Sequence, residues 1–373
     1  MIRGIKAKQC IDDILANQGE PYLDVCLTKG QDRVFRYYKS NSFQATGKEI
    51  LYLYSCTKPV TVLCAMRLVE EGTIQLDDPV SKYFPEYADA FLSEDGVRIP
   101  INREITVRQL FTMSAGLVYS MVVSPLVVEF VKKTEGKATA ADVCRLFPRL
   151  PLKFQPNERF EYSVCHDVLG GLIEVVTGKR LSEYMRDNLF IPLEIDNLGF
   201  HRGNENVMQM YRYDSPVSYS PCPPNLRLFP CENYDSCGAG LMGGVDSLSK
   251  IAQAIACGGI YQNGFRFLKE ETVKQIYEPQ MGFQLEGTAM DNMYGKRYGY
   301  GLGVSVKLED DEWEPTGTFG WSGAAGSLFQ IDPKNQISLV IGRHLHACPN
   351  EVHGKFKAIA KALYEDLKDE GLL

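Results

Sequence analysis

No stretch of this 373-residue chain approaches the ~20 consecutive apolar residues that a membrane-crossing helix requires, so no membrane partner is expected. Basic residues are in the minority, 40 against 47 acidic for a net charge of −7. No Lys/Arg run offers a counter-surface for phosphate backbones, which argues against nucleic acid as a partner. There is no C-x-x-C pair and the cysteine count, eleven, is odd; that usage suits reduced thiols in a cytosol better than a disulfide framework. Met1 to Asp13 lacks the uninterrupted apolar core of a secretion signal and reads as an amphipathic helix, so a cytoplasmic location is expected. Gly-rich loops of P-loop or dinucleotide spacing are missing, so no cofactor is expected. His344-x-His346 has no evident third ligand, so no metal is expected either. What the chain does have is 45% hydrophobic content, enough for a substantial core.

The tetrapeptide Ser55-Cys56-Thr57-Lys58 stands where a strand-like run, Ile50 to Tyr54, gives way to a long apolar helix reading from Pro59 to Glu71. A hydroxyl and an amine three residues apart at a helix start share one face, so the amine can take the hydroxyl's proton. A free lysine amine titrates near ~10.4, and a base must be neutral to act, so burial by Val60, Leu63, Cys64, Leu68 and Val69 matters. The helix N-terminus adds a field that favours negative charge developing on the serine oxygen. The same S-x-x-K pattern recurs as Ser247-Leu248-Ser249-Lys250, but there it reads as the cap of an ordinary surface helix. Ser55 is thus the candidate nucleophile and Lys58 its base.

Strand patterning lies at both ends of the chain. Tyr22 to Thr28 and Arg33 to Tyr38 form a hairpin; Gly301 to Lys307, Ser327 to Ile331 and Ile337 to Gly342 come late, before a final helix from Lys355 to Leu367. The middle is strand-poor, with helical patterning at Val107 to Met113, Leu126 to Lys133, Ala140 to Phe147, Val168 to Thr177 and Ser182 to Leu189. This pattern predicts an α+β fold: a sheet lobe from residues 1–58 and 240–373, an inserted mainly helical lobe over 59–239, and a ligand site in the cleft between them. Two stretches, Asp214 to Ser236 and Gln280 to Gly299, read as long irregular loops, as apt to be site walls as mobile segments.

A serine and lysine still need a proton relay to the leaving group, and a tyrosine hydroxyl suits that task. Of three Tyr-Ser pairs, Tyr119-Ser120 and Tyr219-Ser220 lie in loop-like surroundings, whereas Tyr162-Ser163 stands just before a helix headed by Asp167 and closed near Gly178. Tyr162 is the choice, although a packed core ring is the commoner fate of a tyrosine. An oxyanion needs two N–H donors: one would be the amide of Ser55, the other from Gly320-Trp321-Ser322-Gly323-Ala324-Ala325-Gly326, whose small residues allow close approach to an edge strand. A tight turn between strands would read the same way. His166 is a secondary candidate for the pocket lining.

Ser55-x-x-Lys58, Tyr162-Ser163 and Trp321-Ser322-Gly323 occur in the order and approximate spacing of the serine β-lactamase and penicillin-binding protein superfamily, which the chain resembles from about residue 20 to 345. Supporting phrases are Leu68 to Val80, Ile105 to Leu110, Ser114 to Leu117 and Gly238 to Leu241. The chain is most similar to the class C β-lactamase-like branch, including family VIII carboxylesterases. That resemblance implies a mixed antiparallel sheet flanked by helices plus a helical lobe, with Ser55 as acylated nucleophile, Lys58 as base, Tyr162 as relay, and the amides of Ser55 and Ala324 as oxyanion donors. Trp321, Ser322 and Gly323 would line the substrate site.

Two departures bear on substrate. Val164 stands where lactamases and peptidases commonly have Asn, and Trp321 stands where they have Lys. Loss of that cation removes a partner for the carboxylate of penicillins or peptide C-termini, while Trp offers apolar contact, as in the similar esterases. Small esters are therefore the expected small-molecule substrates of a serine hydrolase. A D-amino-peptidase or β-lactamase-type amide hydrolase, an acyltransferase, and a catalytically silent binding protein of the same fold are the alternatives.

Overall fold

The computed structural model describes residues 1–17, 19–200, 207–282, 285–288, 295–311, 313–346 and 351–373. After helix α1 (Ile5–Asn17), strands β1 (Tyr22–Lys29) and β2 (Asp32–Ser40) form the expected hairpin. The short strand β3 (Leu51–Tyr52) and a single helical turn, Tyr54–Cys56, lead into α2 (Thr57–Glu70). α2 is buried along most of its length and is followed by Gly72 at φ 74°, a left-handed position that ends the helix without cost to a residue lacking Cβ.

Between α2 and residue 240 come the hairpin β4 (Phe91–Glu94) and β5 (Val97–Pro100), and helices α3 (Val107–Phe111), α4 (Pro125–Lys133), α5 (Ala140–Cys144), α6 (Cys165–Thr177) and α7 (Leu181–Met185). Strand β6 (Leu198–Gly199) follows, then a second hairpin of β7 (Tyr211–Ser215) and β8 (Ser218–Pro221). That hairpin corrects the expectation of an irregular loop from Asp214. Its sequence is polar and aromatic on both faces, so no apolar alternation marks it, but cross-strand ring contact between Tyr211 and Tyr219 at 5.1 Å and the side-by-side β15 (Leu345–His346) hold it as sheet. Much of the 280–299 stretch lies outside the described residues.

β9 (Met242–Gly243), α8 (Val245–Ala256) and α9 (Glu270–Tyr277) precede the remaining strands, β10 (Tyr298–Tyr300), β11 (Ser305–Lys307), β12 (Phe319–Ser322), β13 (Leu328–Asp332) and β14 (Ile337–Gly342), and the last helix, α10 (Glu351–Asp369). The main sheet is antiparallel, in the order β10-β11-β12-β13-β14-β1-β2, so it is assembled from both ends of the chain. One face is covered by α1 and α10, where Ile11, Leu15, Ile359 and Leu363 pack on Val25, Leu27, Leu339 and Ile341. The other is covered by α8, whose Leu248, Ile251 and Ile255 join Cys26 and Val340 in a second core. Cover on both faces explains why β14 reads as an unbroken apolar run and is buried throughout.

The second S-x-x-K is corrected by this packing. Ser247 is not a cap; it is buried inside α8, which Gly244 precedes, and α8 is a sheet-covering helix and not an ordinary surface one. Lys250 reaches away to the Glu194 carbonyl.

Below the turn between β12 and β13, Arg343 is buried with its Nε 2.7 Å from Glu20 Oε2, and Lys355 lies 3.6 Å from the same oxygen. Gly326, at φ 88°, rests on the Arg343 side chain so closely that a Cβ would come within 2.5 Å of Cδ. Removing the carboxylate takes away a buried counter-charge in direct contact with Arg343 Nε. Glu20→Gln is therefore expected to lower stability by about 3 kcal/mol or more in denaturant titration.

Two histidines are buried uncharged. Burial, helped by the charge of Lys58, pushes His166 down to about 3, and burial pushes His344 to about 4. Below the unfolded value near ~6.5 the unfolded chain binds protons that the native state refuses, so stability is lost as pH falls from there. Each histidine adds at most ~1.4 kcal/mol per pH unit to that loss. Denaturant midpoints of His166→Asn and His344→Asn are expected to fall less steeply than wild type between pH 6.5 and 4.5; parallel curves would contradict this.

Candidate active site

Tyr54, one residue before the candidate nucleophile, adopts φ 43°, a left-handed conformation that costs a non-glycine residue of order 1 kcal/mol. Its ring is buried among Tyr52, Met210, Met242 and Ala325, and its hydroxyl accepts the Asn225 N–H at 3.0 Å, so packing holds the strained residue in place. The consequence is a sharp corner between β3 and α2 that leaves Ser55 half-buried at the helix start, with its side chain open to partners.

Those partners are the expected ones. The Tyr162 hydroxyl donates to Ser55 Oγ at 2.6 Å, and Lys58 Nζ lies 3.2 Å from the same oxygen. Lys58 is wholly buried; its Nζ also meets the Gly238 carbonyl at 2.7 Å and lies 4.7 Å from the centre of the Tyr162 ring. Among the described residues no carboxylate comes within ion-pair distance of it. The indole N–H of Trp321 donates to the Tyr162 oxygen at 3.0 Å.

These contacts have a direction. An indole can only donate, so the Tyr162 oxygen is the acceptor there and its own proton points at Ser55 Oγ. Lys58 Nζ donates to that serine oxygen as well. Trp321 through Tyr162, and Lys58 directly, thus form one hydrogen-bonded run that converges on Ser55 Oγ.

The Gly320 to Gly326 run is the end of β12 and its turn, and here one expectation is corrected: β12 is an interior strand between β11 and β13. β11 pairs only with Phe319 and Gly320, so Trp321 and Ser322 extend past its end. Alternation puts the Trp321 side chain on the inner face and Ser322 on the face of its partner Leu328. Trp321 is buried, directing its N–H to Tyr162. Gly323 presses on the nucleophile corner: a Cβ there would come within 2.3 Å of the Leu53 carbonyl. The Cys56 thiol, 3.4 Å from the Ser327 carbonyl, pins the same two turns together. Ala324 is exposed at the tip, and among the described residues its N–H and that of Ser55 donate to no protein group.

His166 is the misplaced candidate. It is fully buried under α3, its Nε2 bonded to the Phe111 carbonyl at 3.1 Å, so it lines no pocket. Its position on the inward side of α6 follows from the helix starting at Cys165, two residues before Asp167. His344 is also structural, its Nε2 accepting the Tyr52 N–H at 3.1 Å. Among the described residues, no group of three or more His, Cys, Asp or Glu could hold a metal ion. Nor is any helix there long and apolar enough to cross a membrane.

Two parts of the site escaped sequence reasoning. Tyr119, set aside as a loop residue, opens a helical turn shortly before α4; its ring meets Tyr162 edge-on at 5.5 Å and lies 5.6 Å from Lys58 Nζ. Behind Lys58, Asp167 accepts from the Tyr234 hydroxyl at 3.0 Å, and Ser236 and Gly238 complete its surroundings. A helix following residues 119–121 was the available signal for the first; nothing local signals the second, whose contacts span about 70 residues of chain.

Comparison with known proteins places the fold in a family. The chain is 26% identical over 334 residues to the lovastatin esterase of Penicillium rubens, covering 78% of each protein. It is 27% identical over 304 residues to Protein Rv1367c of Mycobacterium tuberculosis, covering 77% of this chain and 75% of that one. The solved structure described as "EstCE1, a hydrolase with promiscuous acyltransferase activity" superposes with a TM-score of 0.78 over 97% of this chain and 99% of that one, at 22% identity, and so shares the fold. The beta-lactamase family matches residues 7–346, and the chain belongs to that family, with its α+β penicillin-binding-protein-like fold.

Proposed function

We propose that this protein is a serine hydrolase that forms an acyl-enzyme on Ser55 and acts chiefly as a carboxylesterase on small, uncharged esters. The observation that carries the reading is the convergence of Tyr162, itself bonded by Trp321, and of the buried Lys58 on Ser55 Oγ. In this S-x-x-K site, Ser55 Oγ attacks the ester carbonyl while its proton passes to the Lys58 amine. The amides of Ser55 and Ala324 take the negative charge on the carbonyl oxygen. Collapse of the tetrahedral adduct expels the alkoxide, which takes a proton from Tyr162, and the Lys58 ammonium beside it returns a proton to the Tyr162 oxygen, leaving Ser55 Oγ as the ester oxygen of the acyl-enzyme. Water then attacks the acyl-enzyme by the same route in reverse, releasing the acid and regenerating the serine.

The two lobes, residues 1–58 with 240–373 and residues 59–239, would each supply part of this centre: Ser55 and the β12 turn from one, Tyr162 from the other, with Lys58 at the seam. Ester preference is supported by the chemistry at Trp321, where an indole bonded to Tyr162 replaces a cation that a carboxylate-bearing substrate would need. The relatives, an esterase and a hydrolase with acyltransferase activity, fit the same acyl-enzyme. An alcohol in place of water as acceptor gives acyl transfer with no change in the machinery. The free thiols of the described cysteines suit a cytoplasmic setting.

A short-chain chromogenic ester tests the reading. Wild type is expected to hydrolyse it, Ser55→Ala to lose at least ~10³-fold in kcat, and Lys58→Ala and Tyr162→Phe to lose ~10²-fold or more. Wild type as inactive as Ser55→Ala would overturn it, and stable labelling of wild type by a fluorescent penicillin would shift the assignment to amide chemistry.

A further inference from the structure

Resting on the acyl-enzyme reading, we propose that Asp167 is a positioning residue that governs how readily Lys58 takes up a proton, acting across the backbone of Gly238. Gly238 joins the two groups directly: its N–H donates to Asp167 Oδ1 at 3.4 Å and its carbonyl accepts from Lys58 Nζ at 2.7 Å. Nothing but hydrogen fits between them. A Cβ on Gly238 would stand 2.9 Å from Asp167 Oδ2 and 3.2 Å from Lys58 Nζ, so carboxylate and amine face each other across one α-carbon without forming a contact ion pair.

That spacing has a use. A carboxylate in direct contact would fix the amine as an ammonium, whereas a buried amine with no counter-charge would hold a proton too weakly to return it to a leaving group. One glycine of separation gives an intermediate field in a region with little water to screen it. The carboxyl is itself adjustable: burial pushes it up, and Lys58, the Tyr234 hydroxyl, the Gly238 amide and the Ser236 hydroxyl pull it back.

The other titratable groups facing the pair do not replace it. On α6, His166 is held neutral by burial and Lys58. The Cys144 thiol of α5 and the Cys237 thiol beside Gly238 are pushed well up by burial and stay protonated. Tyr162 and Tyr119 present rings to Lys58, and Tyr234 donates its proton to Asp167. Asp167 is the one carboxylate among these facing groups.

The test is the pH dependence of kcat/KM for ester hydrolysis and, separately, of Ser55 labelling by a fluorophosphonate. In Asp167→Asn the amide oxygen still accepts from Tyr234, Ser236 and Gly238, while the negative charge is gone. A nearby anion favours the ammonium, so its loss is expected to move the acid limb of both profiles to lower pH by about one unit or more. Tyr234→Phe, which removes one donor and leaves the carboxyl, is expected to move the limb the same way by less, and it serves if Asp167→Asn does not fold. A purely structural role would lower stability or kcat and leave the limb where it was; an unmoved limb in the variants that fold, or a shift to higher pH, overturns the inference. If wild type neither hydrolyses nor labels, it is the acyl-enzyme reading that has failed.

Discussion

The site depends on keeping a lysine amine entirely out of water without giving it a contact counter-ion. Lys58 is held by a carbonyl, a serine oxygen and the faces of two tyrosine rings. Burying an amine is costly unless its hydrogen bonds are met, and the Gly238 carbonyl and Ser55 Oγ meet two of them. Most neighbouring features serve that placement: α2 is apolar on nearly all sides, the strained Tyr54 turns the chain so that Ser55 meets the amine, and Gly238 admits the carbonyl that fixes Nζ.

A second constraint is close approach between two turns. The β12–β13 turn packs against the Leu53–Cys56 corner only because Gly323 has no Cβ to strike the Leu53 carbonyl and Gly326 none to strike Arg343. The buried Arg343 and Glu20 beneath it, and the Leu345 N–H bonded to the Ala325 carbonyl at 3.0 Å from β15, keep that turn in register. Stability and site geometry are thus coupled through the same few residues, and the Trp321 indole in this strand donates to the Tyr162 hydroxyl.

The Ser55 candidate was legible because it sits on a strong local signal: a hydroxyl and an amine at helical spacing, followed by an apolar helix that Gly72 ends. The sheet could be read from the apolar runs of β1 and β14, which are buried on both faces. Tyr162 was separable from 19 other tyrosines only because a helix with a clear stop follows it. What sequence could not supply was distance across the fold. Asp167 meets Gly238 and Tyr234 through contacts between distant parts of the chain, and the side on which Trp321 projects depends on strand register. His166 was misjudged because a two-residue difference in where α6 begins decides whether a residue faces solvent or core. The hairpin over residues 211–221 carries no apolar alternation, so only its tertiary neighbours mark it as sheet.

The central claim is that a covalent bond to Ser55 lies on the reaction path, and it is tested most directly by acid-quenching the protein milliseconds after mixing with an activated ester and mapping the adduct by peptide mass spectrometry. Fragmentation separates Ser55 from the adjacent Cys56, whose thiol burial pushes up to about 12 and so leaves unreactive. The account predicts an acyl group on Ser55 that forms and decays at the rate of turnover. Turnover with no adduct, or with the acyl group on a cysteine, would contradict it.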